Sequence, residues 1–154
     1  MKSDRALVRR MLWQWGSTMD RVRNMQNDIR GLHDLIDGLR TPSGVQRITG
    51  MPGSGQVGDP TARTAERAME LTRTYHEAAD IIEARIKDAL RLKRAVDDAV
   101  AAALTPIQSR VVTMRYQGGH GWEYIALKMS YAESLVRQRE TEAVDKLWKI
   151  IAMA

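Results

Sequence analysis

The sequence predicts an all-α protein: a long helical hairpin with coiled-coil-like arms, followed by a unit of three short helices. Three observations carry this. Apolar residues recur at alternating spacings of three and four through the first forty residues. A second seam follows a glycine-rich stretch, and the chain beyond residue 104 breaks into short amphipathic pieces.

The first arm contains no Pro between Asp4 and Leu39, and its seam runs Val8, Met11, Trp15, Thr18, Val22, Met25, Ile29, Leu32, Ile36, Leu39. Only Thr18 is polar. A period of 3.5 sustained this long keeps one stripe turned toward a partner helix, so these residues are expected in the core. Gly16, Gly31 and Gly38 should each weaken the helix by up to ~1 kcal/mol relative to Ala, leaving packing rather than propensity to hold it straight. His33 lies beside the seam with no second ligand at helical spacing, and no metal role is expected for it.

Residues 41–59 carry five Gly and, counting Pro60, three Pro, which excludes a regular helix and predicts a turn reversing the chain. The glycine run ends in Val57-Gly58-Asp59 rather than in the Lys-Ser/Thr pair of a phosphate-binding loop, so no nucleotide site is expected. Asp59 as N-cap and Pro60 at the first helical position then start the second arm. Its seam reads Ala68, Leu71, Tyr75, Ala78, Ile82, Ala89, Leu92, Val96, Ala99, with Arg85 falling in its middle. The alanines allow close approach by Trp15, Met25 and Ile29, and an antiparallel hairpin is the simplest way to bury both stripes. Pairing between two chains fits the same pattern, which would make a homodimer through the arms. Asp97-Asp98 is expected on a solvated face, and His76 has no Ser/Cys and Asp/Glu grouping that would suggest a triad. The expected division is thus 1–103 for the arms, with the loop at 41–59, and 104–154 for the terminal unit.

Thr105-Pro106-Ile107-Gln108 is a strong helix start, with Thr as cap, Pro at the first position and Gln placed to complete a capping box. This helix should run to about Tyr116 and bury Ile107, Val111 and Met114. Gln117-Gly118-Gly119-His120-Gly121 ends it, His120 being a loop residue. A second helix from Trp122 to Lys128 can bury Trp122, Ile125 and Ala126. After a tight connection at Ser130-Tyr131-Ala132, a third helix turns Val136, Ala143, Leu147 and Ile150 inward. At 100° per residue, Ser134, Gln138, Thr141 and Asp145 face away from that core, with Glu133 and Arg137 on one flank. A polar face on the second helix of a helix-turn-helix suits major-groove chemistry, Arg for guanine O6/N7 and Gln for adenine N6/N7. Arg110, Arg115, Lys128 and Arg139 are the candidates for phosphate contacts, which position such a unit without reading sequence.

Residues 104–148 resemble the fourth region of bacterial sigma factors, a helix-turn-helix that reads promoter DNA. The resemblance rests on Val136-Arg137-Gln138, Glu140, Ala143, Lys146-Leu147 and, in the preceding helix, Ile125-Ala126. The chain also resembles phage late-transcription regulators of the ArpU/RinA type, through Met51-Pro52-Gly53-Ser54-Gly55, Asp59-Pro60-Thr61, Arg115-Tyr116, Trp122 and Tyr131-Ala132-Glu133-Ser134. The resemblance implies base reading by Glu133, Ser134, Arg137 and Gln138, with double-stranded DNA and RNA polymerase as partners. Two positions depart from the pattern: Ser130 stands where Gly is usual in the turn, and Ala132 where a Ser/Thr cap is usual. The cap would then move back to Ser130, with Glu133 closing a capping box and becoming structural.

Lys plus Arg number 24 against 19 Asp plus Glu, for a net charge of +5, a modest excess that fits nucleic-acid binding. It divides as +3 over residues 1–40, zero over 41–99 and +2 over 100–154. With no Cys there is neither a disulfide framework nor a thiolate metal site, and no apolar run suits a signal peptide or a membrane span, so a cytoplasmic location in a bacterial host is expected. No nucleophile-base pair or metal cluster points to an enzyme, and no cofactor is implied. The expectation is a sequence-specific, DNA-binding transcription regulator. The competing readings are a ring-forming small terminase subunit of a phage and a helical interaction protein without DNA affinity.

Overall fold

The computed structural model describes residues 2–40 and 60–153, and every regular element among them is helical. The elements are α1 (Lys2–Arg40), α2 (Pro60–Ala103), α3 (Pro106–Val112) continued by a π-helical turn (Thr113–Gln117), α4 (Trp122–Met129) and α5 (Glu133–Met153). The expected chain reversal, the Asp59 cap and the Met51–Gly55 motif lie outside the described residues.

The two seams mark the helices' inner faces. On α1, Val8, Trp15, Thr18, Val22 and Ile36 are buried, and the remaining seam positions are half-buried. On α2, Val96 is buried and most of the seam is half-buried, but Leu71 is 42% exposed and the buried alanine is Ala79, outside the expected series. The differences are local: Thr72 and Ala79 turn inward one residue beyond Leu71 and Ala78, while Tyr75, Ile82 and the later seam positions keep the expected register.

The chain forms two compact units, Met1–Val22 with Asp88–Ala154, and Arg23–Lys87. This partition differs from the expected boundary at residues 103/104: the first turns of α1 and the end of α2 belong with the terminal helices. In the unit Arg23–Lys87, α1 and α2 run antiparallel. His33 meets His76 edge to face at 6.5 Å, while Leu39 and Arg40 share a groove with Ala68, Met69 and Thr72.

In the other unit, Val8, Leu12 and Trp15 of α1, Val96 and Val100 of α2, Val112 and Tyr116, and Ala143, Val144 and Leu147 of α5 form one buried cluster. A second cluster, Val111, Ile125, Ala126 and Val136, ties α3 and α4 to α5. Thr105 and Gln108 make the expected capping box at the start of α3. Gln108 is itself buried, and its side-chain amide donates to Glu142 while its oxygen accepts from Lys146. Ile107 and Ile150, both expected inside, are 38% exposed; Val112, Val144 and the polar Gln108 and Glu140 take up the buried positions instead. Asp97 is not a free surface acid either: its carboxylate accepts from the Trp15 indole at 2.8 Å and from Lys93 at 2.7 Å.

The α1 backbone comes up against the π-helical turn at Gly16. A Cβ added there would lie 1.8 Å from the Tyr116 carbonyl oxygen. Gly16 is therefore a condition of the packing, not the weak point that helix propensity alone suggests, whereas Gly31 has nothing within 4 Å of an added Cβ. Opposite signs follow for one chemical change. Gly31→Ala should stabilise the protein by up to ~1 kcal/mol through helix propensity, and Gly16→Ala should destabilise it by about 3 kcal/mol because backbone must move aside. Urea denaturation of both variants checks this, and a stabilising Gly16→Ala would contradict the close approach.

Candidate nucleic-acid interface

The α4–α5 connection is built on one left-handed residue. Ser130 closes α4 with φ 57° and ψ 41°, the conformation glycine adopts at least cost, and its amide donates back to Leu127 at 3.3 Å. Ser130 therefore ends α4 and does not cap α5. The Ala132 carbonyl accepts from Leu135 and Val136 at 3.0 and 3.1 Å, so α5 starts at Glu133 and not earlier. Glu133 closes no capping box; its carboxylate accepts from Arg137 one turn on, at 2.9 Å.

Of the four expected base-reading residues, Ser134, Arg137 and Gln138 are exposed and Glu133 is half-buried. They share the first turns of α5, before Glu140 turns inward. Thr141 and Asp145, expected on the same open face, are engaged by α1 instead. Arg9 Nη2 donates to the Thr141 hydroxyl at 3.4 Å, and Arg5 grips Asp145 through two bonds of 2.9 Å. That grip holds the Asp145 carboxyl below its ordinary value, chiefly through the Arg5 hydrogen bond. The open polar face of α5 is thus interrupted after its first turns, where α1 engages Glu140, Thr141 and Asp145, and the helix is exposed again only at its mostly apolar end, from Lys149 to Met153.

Glu140, which carries part of the sequence resemblance without a role of its own there, is the most heavily engaged polar residue of α5. Its side chain is 2% exposed and receives Arg9 Nε and Nη2 at 2.9 and 3.0 Å and the Tyr116 hydroxyl at 2.8 Å. Arg9 is held above its ordinary value, first by the hydrogen bond to Glu140. Burial, with the Glu140 charge beside it, pushes the Tyr116 phenol well above its ordinary value. A signal was present in the sequence: Glu140 stands one turn after Val136 and three residues before Ala143, on the stripe that faces the core.

The four candidate phosphate ligands divide. Arg110 and Lys128 are exposed, Lys128 lying 5.7 Å from the Tyr124 ring. Arg139 is spent on Glu142, donating to both carboxylate oxygens at 2.9 and 3.0 Å. Arg115 is built into the structure: its guanidinium sits 5.3 Å from the centre of Trp13 and 4.5 Å from that of Trp122, and donates to the His120 carbonyl at 3.0 Å. Arg137 follows at 5.5 Å from Trp122. Trp13, Arg115, Trp122 and Arg137 form a ladder of alternating rings and cations, drawn from α1, the π-helical turn, α4 and α5. Contacts of this kind contribute about 0.5–1 kcal/mol at exposed sites and more when desolvated. The ladder and the Glu133 ion pair together limit where the Arg137 guanidinium can go.

No membrane-spanning helix occurs among the described residues, nor any group of three or more His, Asp and Glu side chains placed to hold a metal. Comparison with protein-family models, curated proteins and solved structures gives no significant match to this chain.

Two measurements test the Glu140 site. Arg9→Met leaves a buried carboxylate without its cation and should cost about 3 kcal/mol, whereas the double variant Arg9→Met/Glu140→Leu should recover much of that loss in urea denaturation. Tyr116 titrates at a raised value in the folded chain, so its contribution is present below its ordinary value of 10.0 and is lost as pH rises above it. Tyr116→Phe should cost about 1.5–3 kcal/mol at neutral pH and show a shallower fall in stability above pH 10 than the parent. Parallel alkaline curves for the two proteins would contradict this.

Proposed function

We propose that this chain is a sequence-specific DNA-binding protein that regulates transcription and reads the major groove with the first turns of α5. The observation that carries this reading is the contrast along α5. Its core face and its α1-facing flank are engaged, and its exposed last turns (Lys149, Ile150, Ala152, Met153) are mostly apolar, while Ser134, Arg137 and Gln138 present an exposed polar face beyond the short turn from α4. These side chains have the donors and acceptors that base edges require, and Arg137 and Gln138 are the two types that pair bidentately with guanine and adenine. Glu133 acts on this face by orienting Arg137 rather than by reading a base. Arg110 and Lys128, both exposed, remain as phosphate contacts, and Arg115 acts by holding Trp122 under Arg137.

RNA polymerase, the partner implied by the sequence resemblance, and a second copy through the arms, which the seam pattern allows, belong to this proposal as later steps. Binding of duplex DNA comes first and can be measured without either. Selection from a random duplex pool with polymerase omitted should return a preferred site. On that site Arg137→Ala should lose about 1–3 kcal/mol of binding free energy while binding to random duplex is nearly unchanged. Equal losses on both duplexes at fixed salt would remove Arg137 as a base reader.

A further inference from the structure

The core uses one face of the first turns of α1 and leaves the opposite one open. Val8, Leu12, Trp15, Thr18 and Val22 point inward. Ala6, Arg10, Trp13, Gln14, Ser17 and Arg21 follow one another at helical spacing on the other side and line an open groove with Arg9. Arg10, Gln14 and Arg21 are exposed, Trp13 is 44% exposed, and no carboxylate lines the groove. The Arg9 charge is compensated by Glu140. The Arg21 charge is not compensated by the contacts it makes here, since its guanidinium rests on two neutral acceptors, the Gln14 carbonyl at 2.9 Å and the Thr18 hydroxyl at 3.4 Å.

This face also continues the α5 surface. The same turns of α1 are clamped to α5 through Arg5–Asp145 and Arg9–Glu140. Arg9 and Trp13 line the α1 groove and also the neighbouring groove that contains Arg115, Trp122, Arg137 and Thr141. The two grooves therefore share a wall.

We propose that this face of α1 is a second nucleic-acid contact, taking the sugar-phosphate backbone of the duplex beside the bases that α5 reads. The inference rests on the function proposed above and adds a surface to it. The chemistry suits the backbone and not the base edges: two guanidinium groups and an amide can donate to phosphate oxygens, while the Ser17 hydroxyl already donates to the Gln14 carbonyl at 3.2 Å, and the Trp13 ring offers an apolar surface to a sugar. Positive charge without carboxylates favours a polyanion, and continuity with the Arg137 face favours the same nucleic acid over a separate acidic protein.

Fluorescence anisotropy over a salt series, with the selected duplex and a random duplex of equal length, tests this surface. The variants are Arg10→Glu, Ser17→Glu and, as a control with the charge change of Arg10→Glu on an exposed position of α1 outside the face, Arg30→Glu. Arg10→Glu and Ser17→Glu should each weaken both duplexes alike, by about tenfold at fixed salt, and Arg10→Glu should flatten the salt dependence by about one counterion. Arg30→Glu should stay within about twofold of the parent. Thermal melting verifies that each variant is folded, and Ser17→Glu carries the test if Arg10→Glu melts early. Equal binding by the α1-face variants and the Arg30→Glu control would overturn the second contact while leaving reading by α5 intact. A loss confined to the selected duplex would overturn its assignment to the backbone. Failure of the parent chain to bind either duplex at low salt would overturn the function proposed above, and this surface with it.

Discussion

A carboxylate taken out of water sets the constraint on which the unit built from Met1–Val22 and Asp88–Ala154 depends. Glu140 is almost fully enclosed, and burying an ion costs several kcal/mol unless its lone pairs are met. They are met by two elements at once: a bidentate guanidinium from α1 and a phenol from the π-helical turn. The apolar cluster around them would tolerate many arrangements of Val, Leu and Ala. The carboxylate tolerates few, because a small shift of α1 or of the turn leaves a charge without a partner.

The close approach at Gly16 follows from the same arrangement. For Tyr116 to reach Glu140 from beneath α1, the carbonyl of that residue has to pass where a side chain would otherwise stand, and glycine has none. The π-helical turn contributes as well. Its wider loop, marked by the Gly118 amide donating to the Thr113 carbonyl at 3.0 Å, carries Arg115 and Tyr116 together to the α1 side. Tyr116 points into the core at Glu140, and Arg115 enters the ladder between Trp13 and Trp122. Helix α1 thereby fixes both the buried side of α5 and, through the ladder, the surroundings of Arg137.

This arrangement gives the first turns of α1 more than a scaffolding role. One face packs into the core, one flank binds α5 through Arg5 and Arg9, and the third is open, positively charged and continuous with the groove beside Arg137. In the proposed function, α5 supplies discrimination and α1 supplies both its support and a share of the electrostatic attraction. The unit Arg23–Lys87 stands apart in character. Among the described residues of its helices, Ile36 and Ala79 are the buried apolar side chains, and Leu35, Met69 and Ile81 are exposed.

Amphipathic periodicity, capping chemistry and glycine breaks determined the all-α class, the extents of the long helices, the Thr105–Gln108 capping box and the exposure of Ser134, Arg137 and Gln138. These are local properties, decided by spacing and by bonds spanning a few residues. Only the tertiary structure decided that α1 packs on α5, that Thr141 and Asp145 are engaged by its arginines, that Arg115 is a rung between two tryptophans, and that Gly16 is required. Each depends on a contact between residues 100 to 140 positions apart, where a helical wheel shows which side of a helix is polar but not which partner meets it. Glu140 marks the boundary. Its place on an apolar stripe was legible, but the arginine and tyrosine that make its burial tolerable could be found only by bringing α1 and the π-helical turn against it.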